Sequence, residues 1–146
     1  MQDGYLSRHV QFLNDPEVHR YSATRPPFSE TRQRQWLRDR AAAGDNIYAL
    51  LAPDDKGDLV SVGTMSLTKF DEHRATAESG SFIGDKRYWG RGIAREARFL
   101  QLRIAFEDMG LQSISSVTIR PNTRSQRLLE STGYKLVETR PDARVI

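Results

Sequence analysis

Gly90 and Gly92 stand at a junction that restricts the fold more than any other feature of the chain. Before them runs "TAESGSFIG", residues 76–84, short and strand-like. After them, from Gly92 to Met109, the spacing turns helical. Ile93, Ala97, Leu100 and Ile104 make one stripe and Phe99, Leu102 and Phe106 a second, which predicts a wide buried face. Gly110 stops the helix, and "SISSVTI", residues 113–119, reads as a strand again. A strand, a long helix and a second strand in this order require a parallel pair, because only a crossover brings the chain back to start a strand in the same direction.

The first half of the chain asks for a different connection. "NIYALLA" (46–52) and "LVSVGTMSL" (59–67) are separated by "PDDKG", a hairpin turn signal, so those strands are antiparallel. Two helices precede them. Leu6, Val10 and Leu13 have helical spacing until Pro16 breaks the pattern, and a helix over about 30–43 starts behind Ser29 as N-cap and stops at Gly44. Near the C-terminus "PNTRSQRLLESTG" reads as a loop and short helix closed by Gly133, and "YKLVET" as a last strand. The order ααβββαβαβ gives an α/β (α+β) fold with a mixed sheet flanked by helices.

The chain has 146 residues, the size of one domain, so residues 1–146 are expected to form one. With 38% hydrophobic and 28% charged residues it reads as globular. No apolar run approaches the ~20 residues of a membrane span, and "MQDGYLSRHV" lacks the apolar core of a signal peptide, so no membrane partner and a cytoplasmic location are expected. Cys is absent, which removes disulfides, thiolate zinc sites and a cysteine nucleophile, and no metal is expected. The net charge of +3 suits a small anionic ligand. The arginines at 32, 34, 38 and 40 fall around a helix rather than along one stripe, so no nucleic-acid partner is expected.

The junction itself, "IGDKRYWGRGIAREA" (83–97), places backbone N–H groups and a positive helix end at one point, a geometry that suits pyrophosphate. Glycines there allow close backbone approach, and Arg87, Arg91 and Arg95 add charge-assisted donors. The same residues also fit a basic turn with solvated arginines. G-x-G-x-x-G and Gly-Lys-Ser/Thr are both missing, so neither a dinucleotide fingerprint nor a Walker loop is present. A second strand–loop–helix, "IRPNTRSQRLLESTGYK" (119–135), offers Asn122 at a strand end and Ser125 at a helix start, with Arg124 and Arg127 nearby. Helix capping alone would also explain Asn122.

Together, R-x-x-G-x-G at 87–92 opening a long helix and "NTRSQRLLESTGY" after it resemble the GNAT superfamily of acetyl-CoA-dependent N-acetyltransferases. "FLNDPEVHRY" and N-x-x-S…G-Y are similar to its branch of ribosomal-protein N-terminal and amino-sugar acetyltransferases, and the resemblance covers roughly residues 5–139. It implies a mostly antiparallel sheet whose central parallel pair splays apart. It implies that the backbone of Phe82, Ile83 and Gly84 bonds the pantetheine of acetyl-CoA, as an added strand would. Arg87, Gly90, Arg91 and Gly92, with Ile93 and Ala94 behind them, would hold the pyrophosphate, and Asn122 and Ser125 would face the thioester. Only Met1–Gly4 precede the first helix, so the family's N-terminal edge strand is missing or supplied otherwise, and Leu129 stands where many relatives carry a Tyr as general acid, so Ser125 becomes the candidate proton donor to the leaving thiolate.

A lysine-like amine costs ~4.6 kcal/mol to deprotonate at pH 7, an α-amine only ~1–1.4 kcal/mol, so a strong base is optional for a weakly basic acceptor. Glu78, on the strand leading into the glycine loop, is the carboxylate placed to act as base, unless it faces solvent or pairs with Arg74. His73 is the other possible base. Without Cys, direct attack in a ternary complex is expected, with an oxyanion met by a backbone N–H near Ile83. The acceptor pocket is expected between the first two helices, from Asn14, Asp15, Tyr21, Arg25 and Trp36, although core packing would also explain Trp36. Arg25, before Pro26 and Pro27, would read an acidic group and favour a small amine such as an amino sugar. The alternatives are a protein N-terminal acetyltransferase acting on a peptide N-terminus and a non-catalytic acyl-CoA-binding module. A missing edge strand leaves a sheet edge that homodimerisation would cover.

Overall fold

The computed structural model describes residues 5–20, 27–118 and 120–138. Its elements run α1 (Leu6–Asn14), α2 (Pro16–His19), α3 (Glu30–Ala42), β1 (Asn46–Pro53), β2 (Leu59–Thr68), β3 (Thr76–Ile83), α4 (Ile93–Arg103), β4 (Ser113–Ser115) and α5 (Thr123–Ser131). The four strands form one sheet in the order β1-β2-β3-β4. β1–β2 and β2–β3 are antiparallel, and β3–β4 is parallel, as the helical crossover through α4 requires. No helix among the described residues is long and apolar enough to cross a membrane.

Local chemistry sets the joints. Asp54 turns the β1–β2 hairpin by accepting from the N–H groups of Lys56 and Asp58, with Gly57 at φ +85°. The register slips by one between Leu50 and Leu51, which leaves Val62 as an extra residue on β2. The Val62 carbonyl then takes two donors, the N–H groups of Gly84 and Asp85 at 2.8 and 3.1 Å. Gly63 beside it must lack a side chain, since a Cβ would sit 2.0 Å from the Phe82 carbonyl.

One sheet face carries Leu50, Ala52, Val62 and Met65, packed with Tyr88 and Ala97, and a second cluster joins Leu67, Ala77, Ala105 and Leu111. α4 covers this face, but in a different rotation from the expected one. Ala97, Arg98 and Gln101 are buried, while Phe99, Leu100 and Phe106 are 43–50% exposed. The physical reason lies in the small and hydrogen-bonding residues. Ala97 and Ala105 let the backbone approach the sheet, and Gln101 Nε2 donates to the Ser66 and Gly80 carbonyls at 2.7 and 3.1 Å. From Ile104 to Asp108 the helix winds as a π-helix, which breaks the regular stripe.

β4 is shorter than the expected 113–119. Its ladder with β3 runs only from Thr76↔Ser113 to Glu78↔Ser115, whereas β3 continues to Ile83, so the parallel pair parts after three residues. The expected last strand is not formed: residues 134–138 lie in no strand, and Leu136 and Val137 are 80% and 94% exposed. β4, at the sheet edge, offers a template of only three residues, Ser113–Ser115, for a further strand. No strand precedes α1 among the described residues, so β1 is an outer edge.

Candidate functional site

The space beyond Ser115 is bounded by the second half of β3. Its backbone groups alternate in direction. The Phe82 carbonyl is directed at Gly63, and the Gly84 N–H donates to Val62, so these two turn toward β2. Ser81 and Ile83 therefore turn their N–H and C=O groups to the opposite side, where β4 no longer runs. Of the three residues expected to bond a pantetheine, Ile83 is the one that faces the opening. Its carbonyl is already in use, accepting from Trp89 Nε1 at 2.7 Å.

At the end of β3 the chain enters a short 3₁₀ turn, Lys86–Tyr88, and then the two glycines. Gly90 and Gly92 both have φ +76°, in the left-handed region, with nothing within 4 Å of a hypothetical Cβ. They are needed for backbone conformation rather than for space. Gly92 is the N-cap of α4 and supplies no side-chain cap. The contrast with neighbouring helices is informative. Ser29 Oγ accepts from Arg32 N on α3, and Asn122 Oδ1 accepts from Ser125 N on α5. Unlike α3 and α5, and like α1 with its Tyr5 N-cap, α4 opens with its first N–H groups unclaimed by a side chain, next to Ile93 and Ala94. The turn thus has the backbone chemistry of an anion cradle.

The arginines around it divide into two sets. Arg87 is committed to Asp85, with Nε–Oδ1 and Nη2–Oδ2 contacts of 3.0 and 2.7 Å. Asp85 is buried and also receives Arg8 Nη2 at 3.0 Å, and hydrogen bonds from Arg87 hold its carboxyl below the usual carboxylate range. Lys86 is paired with Asp15 and Glu17. Arg8, Asp15 and Glu17 belong to α1, α2 and the residue between them, so these pairs lash the N-terminal helices to the start of the loop. Arg91, Arg95 and Arg124, by contrast, have no carboxylate partner among the described residues. Arg91 lies over Tyr88, Arg95 over Phe99, and Arg124 over Trp89 at 5.5 Å. This last contact joins the two glycine-and-loop segments of the sequence into one site.

The remaining candidates are placed as follows. Asn122 caps α5, and Ser125, half-buried in its first turn, has a hydroxyl with no hydrogen bond among the described residues. Glu78 lies on β3 with its side chain 23% exposed and is paired not with Arg74 but with Lys69 at 3.0 Å. Arg74 instead stacks on Phe70. His73 is an exposed loop residue beside Glu72. Asn14 spends both ends of its amide on the backbone of Phe28, at 3.0 and 2.8 Å, which ties α1 to the approach of α3. Trp36 is 41% exposed, so it is not a core residue. Tyr21 and Arg25 lie outside the described residues.

Three groups at the site carried no signal in the sequence that assigned them a role. Asp85 becomes visible only when α1 brings Arg8 to it. Trp89, next to Gly90, serves as a hydrogen-bond donor to β3 as well as a packing group. Tyr134, following Gly133, donates or accepts at Ser79 Oγ, 2.7 Å away, where β3 and β4 part.

Comparison with known proteins finds a matching family model, related sequences and similar folds. The family model of the GNAT acetyltransferase domain matches residues 3–135. Uncharacterized N-acetyltransferase p20 of Bacillus licheniformis is 28% identical over 130 residues, 86% of this chain and 70% of its own length. The FsC-acetyl coenzyme A-N(2)-transacetylase of Aspergillus fumigatus is 28% identical over 134 residues, and this chain spans only 56% of it. Among solved structures, a domain from Methanocaldococcus jannaschii superposes with a TM-score of 0.82 at 20% identity, over 97% of this chain and 89% of that one. Spermidine N-acetyltransferase from Vibrio cholerae, in complex with CoA and spermine, gives 0.77 at 19%, over 91% and 76%. These structural likenesses are likenesses of fold.

Proposed function

The chain belongs to the GNAT acetyltransferase family, and from that premise we propose that it moves the acetyl group of acetyl-CoA to the primary amine of a small molecule by direct attack within a ternary complex. Acetyl-CoA-dependent N-acetylation is the reaction of the family and of the named relatives. The observation that carries the assignment of the donor site is the uncapped start of α4, behind two left-handed glycines and beside the place where β3 and β4 part.

Bound acetyl-CoA supplies a thioester carbonyl activated toward amines. The residues of this chain would act around it in four places. The N–H groups at the start of α4, with Arg91 and Arg95, bind the pyrophosphate. The Ile83 N–H, on the side facing the opening, meets the oxyanion as the amine nitrogen bonds the carbonyl carbon. Glu78, five residues or about 16 Å along β3 from Ile83, receives the proton that the amine sheds through a chain of waters, with Lys69 holding the carboxylate in place. When the C–S bond breaks, the Ser125 hydroxyl gives a proton to the thiolate and regains one from solvent.

The acceptor argument from Arg25 falls outside the described residues, so the support for a small amine is the polarity of the face that carries Glu78. Ser66, Thr68 and Glu78 share it on neighbouring strands. An amino sugar is one member of that class. A homodimer belongs to the same reading, supported by the outer edge of β1, unpaired among the described residues, and the exposed Leu51, Phe99 and Leu100. A monomer in gel filtration would remove it.

The test is release of free coenzyme A thiol from acetyl-CoA across a panel of amino sugars, polyamines and peptide N-termini. Turnover with at least one small amine is expected. Turnover with peptides alone would transfer the reading to a protein N-terminal acetyltransferase, and none with any amine would overturn it.

A further inference from the structure

We propose that Ser79, Arg98 and Tyr134 form one positioning unit that sets where β3 and β4 part, and with it the depth of the slot a donor enters. The inference rests on the reading above, that acetyl-CoA enters between these strands.

The backbone ladder stops at Glu78↔Ser115. One residue on, side chains replace it. Ser79 Oγ donates to the Ser115 carbonyl at 3.0 Å, and Ser116 Oγ donates to the Ser79 carbonyl at 3.0 Å. A hydroxyl thus takes a carbonyl on β3 that an N–H of β4 would otherwise take, and pairing cannot continue.

The Ser79 hydroxyl is saturated. Its one proton goes to Ser115, so its two acceptor positions receive Tyr134 Oη–H at 2.7 Å and Arg98 Nη1 at 3.2 Å. Arg98 is 3% exposed and has no carboxylate partner among the described residues. Its Nη1 also donates to Gln101 Oε1 at 3.1 Å, and Gln101 holds the carbonyls of Ser66 on β2 and Gly80 on β3. Its Nε has no hydrogen-bond partner among the described residues.

A buried cation with neutral partners and one unmet donor is a poor way to stabilise a core, and apolar residues of similar size often do it better. What the guanidinium provides is direction: it pins Ser79 from α4 while Tyr134 pins it from the chain leaving α5. The same helix carries the glycine cradle, with Ile93 about 7.5 Å along its axis from Arg98. The cradle and the foot of the slot are therefore held at a set separation.

The experiment compares Tyr134→Phe, Arg98→Met, Ser79→Ala and Ser79→Thr with the unaltered chain, by calorimetric titration with coenzyme A, by separate KM values for acetyl-CoA and amine, and by thermal melting. The first three variants are expected to bind coenzyme A about tenfold more weakly and to raise the acetyl-CoA KM alike. The amine KM stays unchanged; Tyr134→Phe and Arg98→Met keep their Tm, Ser79→Ala melts lower because it strands buried polar groups, and Ser79→Thr, which keeps the hydroxyl, binds normally. Ser79→Ala combined with Tyr134→Phe loses no more than the larger single loss, since both break one unit. Normal coenzyme A binding by all variants would overturn the proposal, as would losses that follow Tm. If the unaltered chain itself fails to bind coenzyme A, the functional reading falls and this inference with it.

Discussion

At the scale of single residues, Gly92 combines two roles that a side chain would disturb. Its φ of +76° is costly for an L-residue by about 1–2 kcal/mol, more for a β-branched one. Its place as the N-cap of α4 leaves the first N–H groups of the helix open. Because nothing lies within 4 Å of a Cβ there, Gly92→Val has room, and the damage should fall on backbone conformation. Gly92→Val is expected to fold and to bind coenzyme A about tenfold more weakly or worse in a calorimetric titration; unchanged affinity would remove the turn from the donor site. Ser125, in the first turn of α5, has a hydroxyl with no hydrogen bond among the described residues. Ser125→Ala should lower kcat while leaving coenzyme A affinity nearly unchanged, and equal kcat would take Ser125 out of the mechanism. The glycines were legible in the sequence because a strand and a long helix flank them. The partners of Arg87 were not. Asp85 stands two residues before Arg87, yet its burial and its second arginine come from α1, some seventy-seven positions away in the chain.

At the scale of elements, α1 is held against the end of β3 by contact as well as by charge. A Cβ on Gly84 would lie 2.5 Å from the Phe12 ring, so only a glycine lets the helix pack there. Gly84→Ala is expected to lower stability by about 1–3 kcal/mol through overpacking, and Phe12→Ala in the same chain should relieve part of that loss. Thermal melting of the single and double variants checks it. α4 shows where periodicity misleads. Its apolar stripes predict Phe99, Leu100 and Phe106 inside, yet Arg98 and Gln101 are inside instead. The helix rotates so that alanines meet the sheet and Gln101 reaches strand carbonyls, and neither preference is visible in a count of apolar residues. The strand–helix–strand order and the hairpin were legible because turn chemistry and crossover rules are local. The length of β4 was not, because serine hydroxyls that end its ladder look in sequence like ordinary strand residues.

At the scale of the whole molecule, the N-terminal helices, the loop and the sheet are coupled through buried polar groups, and this gives stability a pH dependence. His9, 1% exposed, bonds Ser61 Oγ, and burial, reinforced by Arg8, lowers its pKa from 6.5 to about 4. The unfolded chain therefore binds the proton more readily than the folded one between those values, so stability falls as pH drops from about 6.5 to about 4, by about 3 kcal/mol across the window. His9→Gln should flatten a melting profile taken over that range, and a profile as steep as the unaltered chain's would exclude His9 as the cause. The central claim is that acetyl-CoA binds across the opening between β3 and β4 with its pyrophosphate at the start of α4. Amide hydrogen exchange, with and without saturating acetyl-CoA, tests it most directly. Added protection is predicted at residues 81–83 and 90–95 and at the start of α5, while the β1–β2 hairpin turn stays unchanged. Protection that spares 81–83 and 90–95, or no protection anywhere, would contradict it.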